Sequence, residues 1–94
     1  MTAFVYILAS KRNGTLYVGS TTSLARRIFE HKTEAVKGFT QKYNVKILVH
    51  VEIFPSLEEA LQREKNLKDW QRNWKLELIE KDNPTWRDLY DDIV

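Results

Sequence analysis

FVYILASKRNGTLYVGS, from Phe4 to Ser20, is the stretch whose reading decides the fold. Its first part, Phe4 to Ala9, is an apolar run rich in β-branched and aromatic residues, which predicts a strand. Asn13-Gly14 is a strong hairpin signal, because both residues tolerate positive φ. Leu16 to Ser20 then reads as the returning strand, antiparallel to the first and beside it. Tyr6 and Tyr17 therefore lie on adjacent strands of one hairpin. Gly19 follows Tyr17 by two residues, so the two share a face. A glycine beside a tyrosine hydroxyl leaves space for something else to approach. The two tyrosines read equally well as core aromatics with their hydroxyls at the rim.

Working outward, Thr21, Thr22 and Ser23 are capping residues at a strand-to-helix junction. A helix is expected from about Ser23 to Glu34, with Leu24, Ile28 and Phe29 toward the core. A less regular stretch containing Gly38 runs to Asn44. Ile47 to Phe54 is the next strand, and Pro55 ends it. Ser56-Leu57-Glu58-Glu59 has the pattern of a capping box for a second helix, whose Leu57, Ala60, Leu61 and Leu67 fall on one stripe. A third helix spans about Gln71 to Lys81. Asn83-Pro84 resembles a cap followed by proline at a first helical position. Trp86, Leu89, Tyr90 and Ile93 repeat at helical spacing, so residues 83–94 are expected to form a helical tail packed on the rest. Three strands with helices between and after them predict a small α/β sandwich, a three-stranded antiparallel sheet flanked by helices.

The 94 residues contain no repeat and no Gly/Ser/Pro-rich linker, so one domain over 1–94 is expected. There is no cysteine, which excludes disulfides and thiolate metal sites. MTAFVYILAS has no basic leader and too short an apolar run for a signal or a span, so a cytoplasmic location is expected. The net charge is +2, and five acids against two bases from Glu80 onward leave residues 1–79 at +5. That excess favours contact with phosphates. Lys42, Lys68 and Arg72, with Arg63, Lys65 and Lys75, are candidates for the nucleic-acid backbone or are solvated surface. Phe39, Tyr43, Trp70 and Trp74 either stack on bases or pack inside. His50 alternates with apolar neighbours and reads as structural.

Two further features do not fit a bland core. Glu64 lies in the apolar stripe, three residues from both Leu61 and Leu67, where an unpaired carboxylate would be costly. It is either ion-paired, at the stripe's wet edge, or a ligand for a hard cation. Arg27 and His31 are four apart on one side of the first helix, near the hairpin. They read as a solvated helix edge or as part of a cleft.

Taken in order, these residues resemble the GIY-YIG nucleases. Val5-Tyr6-Ile7 resembles the first signature tripeptide, departing from it at the outer residues, and Tyr17-Val18-Gly19 resembles the second. LARRIFEH, Leu24 to His31, is similar to the family's first helix, and Glu64 in ALQREKNLKDW matches the metal-ligand glutamate of the later helix. FTQKY and LKDWQRNWK resemble segments of small stand-alone bacterial members. The resemblance covers nearly the whole chain. It implies the GIY-YIG fold and hydrolysis of phosphodiester bonds in DNA, giving a 5′-phosphate and a 3′-hydroxyl.

It further implies Mg²⁺ or Mn²⁺ held by Glu64 and water, with Arg27 pairing the phosphate. Tyr6, Tyr17, Gly19, Arg27 and His31 make up the rest of the catalytic set. Tyr6 or Tyr17 takes a proton or orients a water, and His31 accepts the proton or positions a tyrosine. Without an appended DNA-binding domain, structure-selective cutting or a targeting protein partner is expected. The alternatives are a module that binds nucleic acid without cutting, or one silent until a partner docks. The resemblance does not place the downstream asparagine of some members.

Overall fold

The three strand-forming runs pair into one sheet. The computed structural model describes residues 1–94. It contains β1 (Ala3–Ala9), β2 (Leu16–Thr21), α1 (Leu24–Lys32), α2 (Phe39–Lys42), β3 (Ile47–Phe54), α3 (Leu57–Asp69), α4 (Arg72–Asp82) and α5 (Tyr90–Ile93). The sheet is antiparallel with order β2-β1-β3. The expected α/β sandwich is the fold observed.

β1 is the middle strand and is apolar on both faces, which explains its near-continuous hydrophobic run. Ala3, Val5, Ile7 and Ala9 face Ala60 and Leu67 of α3 and Ile79 of α4. Tyr6 and Leu8 face Leu24 and Ile28 of α1. Leu67 and Ile79 are wholly buried, and each contributes roughly 1.5–3 kcal/mol by leaving water. Exposed ion pairs such as Arg26–Glu30 contribute no more than about 1 kcal/mol each. Burial, not surface charge, therefore docks the helices.

The hairpin turn is a four-residue loop, with Ser10 N–H donating to the Thr15 carbonyl at 3.0 Å. Of the Asn-Gly pair, only Asn13 adopts positive φ, at 58°. The capping box at α3 is present, with Ser56 Oγ accepting from Glu59 N–H at 3.3 Å.

Several expectations are corrected. Phe29 is 55% exposed and does not face the core. Leu57 and Leu61 are also exposed; only Ala60 and Leu67 of that stripe are buried, because α3 touches the sheet along a narrower line than its periodicity implies. The stretch after Gly38 holds the one-turn helix α2.

The helical tail over 83–94 shrinks to Tyr90–Ile93. Asn83 closes α4 instead of opening a helix. Its buried side chain donates to the carbonyls of Val49 at 3.2 Å and Arg87 at 2.9 Å. Val49 is the extra residue of a bulge, since β1–β3 pairing steps from Ile7↔His50 to Leu8↔Leu48. Asp88 accepts from Leu48 N–H at 3.2 Å, and Leu89 N–H donates to the Leu48 carbonyl at 2.8 Å. The segment thus pairs along the outer side of β3. No helix is long and apolar enough to cross a membrane.

His50 is buried, as a structural residue would be, with Nε2 2.8 Å from Glu52 Oε2. Arg63 grips the same carboxylate at 2.7 and 3.0 Å. Burial alone would raise Glu52, but hydrogen bonds from His50 and Arg63 outweigh it and hold it at about 2.

Candidate active site

Register brings Tyr6 directly opposite Gly19. The Tyr6 ring lies across that glycine, and a Cβ there would sit 2.5 Å from the Tyr6 hydroxyl oxygen and 3.1 Å from Tyr17 Cε2. The room left by the missing side chain is therefore filled by Tyr6, not open to a ligand as the sequence implied. Gly19→Ala is expected to cost about 1–3 kcal/mol of stability, the usual range for overpacking, and to push Tyr6 off His31. Thermal melting checks the first effect; an alanine variant as stable as wild type would contradict it.

α1 adds the next layer. His31 is buried, with Nε2 3.0 Å from Tyr6 Oη and Nδ1 3.0 Å from Thr40 Oγ1. Tyr17 completes a cluster of three rings, its centroid 6.4 Å from Tyr6 and 5.5 Å from His31. Burial pushes the Tyr6 phenol up to about 12, more than the hydrogen bond from Arg27 lowers it. Burial, helped by the charge of Arg27, holds the His31 imidazole below its usual value against the pull of Glu30. His31 is therefore neutral at neutral pH. The hydrogen bond to Tyr6, against some desolvation, raises the Arg27 guanidinium above its ordinary value. Arg27 also reaches Glu30, at 3.4 Å. Thr40, which holds the far side of the His31 ring, lies on the four-residue helix α2.

Glu64 comes from the other side of the sheet. Ser20 is paired with Val5, on the α3 face, and its hydroxyl donates to Glu64 Oε1. Lys68 donates to Oε2 at 2.6 Å. The Glu64 side chain is 19% exposed and that of Lys68 52%. Glu64 lies close enough for its charge to raise Tyr6. The tyrosines and Arg27 on one face and Glu64 on the other thus meet around the free edge of β2. A polar cleft follows this edge at its Ser20 end, lined by Ser20 to Ser23, Arg26, Arg27, Glu30, Leu57 and Leu61. The exposed leucines of α3 are its apolar wall.

Of the predicted backbone contacts, Lys68 lies against the site. Lys42 lies over the Tyr43 ring. Arg72 donates to the carbonyls of Asn13 and Gly14 at 2.7 and 2.6 Å, so its guanidinium ties α4 to the hairpin loop.

Comparison with known proteins gives the family and the fold. Residues 2–77 match the model of the GIY-YIG catalytic domain. The chain is 37% identical over 78 residues to a UPF0213 protein of Staphylococcus haemolyticus, covering 83% of this chain and 94% of the relative. It is 38% identical over 82 residues to a UPF0213 protein of Syntrophus aciditrophicus, covering 86% and 92%. A solution NMR structure of the UPF0213 protein BH0048 from Bacillus halodurans superposes with a TM-score of 0.58 at 32% identity, covering 94% of this chain and 93% of that one.

Proposed function

The chain belongs to the GIY-YIG catalytic-domain family, and from that premise we propose that it is a divalent-metal-dependent endonuclease hydrolysing phosphodiester bonds in DNA. The observation that carries this reading is the meeting of Arg27, the Tyr6–His31 pair and the Ser20-held Glu64 at one strand edge. Arg27 supplies a fixed cation for a phosphate, and Glu64 an anion for a metal.

The residues fit a hydrated hard cation. No group of three His, Cys, Asp or Glu side chains is placed to wrap a metal, so a closed zinc-type cage is not what they form. Magnesium keeps several waters and accepts one or two carboxylates plus substrate phosphate. The Lys68 ammonium already places a cation on the outer oxygen of Glu64, and its exposed side chain can leave. When bound, Mg²⁺ or Mn²⁺ supplies charge stabilisation at the phosphate and the leaving oxygen.

In the proposed reaction a water oxygen attacks phosphorus, the bond to the 3′ oxygen breaks, and that oxygen takes up a proton. Arg27 pairs with the phosphate as charge gathers on it. Tyr6, raised to about 12, keeps its proton at neutral pH and orients. Tyr17, half-buried at the strand edge, is the phenol whose hydroxyl orients the water; the water's proton passes to solvent, which also supplies the proton that the 3′ oxygen takes up.

Hydrogen counting around His31 supports a phosphate or water beside Tyr6. A neutral imidazole offers one lone pair. Two hydroxyls, those of Tyr6 and Thr40, border it, and neither has another acceptor. One hydroxyl hydrogen is therefore left for an oxygen of water or of substrate to accept, a role that Arg27, a pure donor, cannot take. In the DNA complex Tyr6 is expected to donate to substrate or its water, with the His31 proton on Nε2. Imidazole ¹⁵N shifts read this directly; a proton resident on Nδ1 in the complex contradicts it.

The test of function is a nicking assay on flapped, branched, plain and single-stranded DNA, with RNA alongside. Metal-dependent cutting that stops with chelator is the expected result. If the protein binds these substrates and cuts none with Mg²⁺ or Mn²⁺, it is a binding module and the enzyme reading is withdrawn.

A further inference from the structure

The other end of the β2 edge carries a second, differently lined pocket. It has a volume of about 340 Å³ and is formed by Leu16, Tyr17, Val18, Phe39, Lys68 and Lys75, within the roughly 300–1,000 Å³ of small-ligand sites. Phe39 comes from the tyrosine face of the sheet, and Lys68 and Lys75 come from the α3–α4 side. The pocket therefore wraps the strand edge just as the catalytic cleft does.

Its character is aromatic and basic. The Phe39 ring stacks on Tyr17, with centroids 6.2 Å apart and planes 29° apart, and Tyr43 lies 4.8 Å beyond it. Phe39 is nevertheless 46% exposed. A half-exposed phenyl ring on a one-turn helix adds little to the core, yet it presents a π-face to solvent beside the site. Lys75 pairs with no acid, and the only acid partner of Lys68 is Glu64. Exposed rings flanked by ammonium groups, that of Lys75 free of any acid partner, are what a nucleotide needs: stacking for the base, charge for the phosphate. A paired base inside a duplex has no face to offer such a ring.

We infer that this pocket is a subsite for an unpaired nucleobase, stacked on Phe39 next to the scissile phosphate, with Lys68 and Lys75 on the adjoining phosphates. The inference rests on the nucleic-acid reading above and narrows its substrate to strands with an unstacked base at the cut. The phosphate enters the polar cleft of Arg26 and Arg27, and the base beside it enters the Phe39 pocket. Tyr17 is shared between the two.

Binding without divalent metal tests the inference apart from catalysis. The probes are a duplex with one unpaired 2-aminopurine and the same duplex fully paired. Wild type is expected to bind the unpaired probe about tenfold more tightly, in keeping with one base stacked on an aromatic ring, and to quench its fluorescence. Phe39→Leu, which keeps apolar bulk without the ring, is expected to lose both preference and quenching while melting like wild type. Lys75→Ala is expected to weaken both probes equally and flatten the salt dependence. Ile53→Ala, at an exposed position of β3, leaves the preference unchanged. Equal binding of the two probes by wild type overturns the inference, as does a Phe39→Leu variant that keeps the preference. If wild type cuts DNA but shows no preference, the subsite is wrong and the nuclease reading stands. If it shows the preference but cuts nothing, the subsite stands and the nuclease reading falls.

Discussion

Glu64→Gln is expected to slow strand cleavage about a thousandfold and to leave the fold intact. Glutamine keeps the size of the side chain and still accepts from Ser20. It loses the charge that Lys68 now neutralises and that a divalent cation would use. The Glu64–Lys68 pair spans one helical turn and is half open to solvent on the lysine side, so its loss costs no more than about 1 kcal/mol of stability. The charge stabilisation a metal gives a phosphoryl oxygen is several kcal/mol, and about 4 kcal/mol corresponds to three decades of rate. Single-turnover rates at saturating DNA, with metal titrated, measure the effect. A glutamine variant cutting within tenfold of wild type would remove Glu64 from the mechanism.

Arg27→Ala is the second large effect, a fall of about 10²–10³ in the chemical step with DNA affinity changed far less. The guanidinium lies close enough to the Tyr6 phenol for each to shift the other, and it reaches Glu30 at 3.4 Å, so it is positioned before substrate arrives. Its contribution grows as charge builds on the phosphate, which places the loss in kcat and not in binding. Lysine is not expected to restore the rate, because a point charge cannot hold Tyr6 and a phosphate in one planar fork. Equal losses in affinity and turnover would instead make Arg27 an ordinary phosphate contact.

Local pattern carried much of this in the sequence. The spacing of Tyr6, Tyr17 and Gly19 on a hairpin set their shared face, and the four-residue step from Arg27 to His31 set theirs. An acid among leucines marked Glu64. What local pattern could not carry were contacts made between elements. Thr40 belongs to a single turn after Gly38 with no periodicity to announce it, and its tie to His31 exists only in three dimensions. Arg72 bonds carbonyls 59 and 58 residues away. Asn83-Pro84 misled for a different reason: polar residue then proline marks a helix stop as well as a start. The leucines of α3 followed helical periodicity faithfully, but periodicity does not say that two of them border a cleft.

A three-stranded sheet has two rims, and here they have opposite fates. Asn83, Asp88 and Leu89 cover the rim of β3 with hydrogen bonds. The rim of β2 keeps its unpaired backbone groups, between two pockets. Open strand rims invite pairing with other chains, and proteins commonly blunt them with charge, above all lysine. Lys68 and Lys75 stand along this one. The same ammonium groups that would draw in a polyanion also repel a second copy of the chain. On the proposed reading one row of charges would serve both to keep copies of the chain apart and to draw in the substrate, and neutralising it to tighten the fold would endanger both.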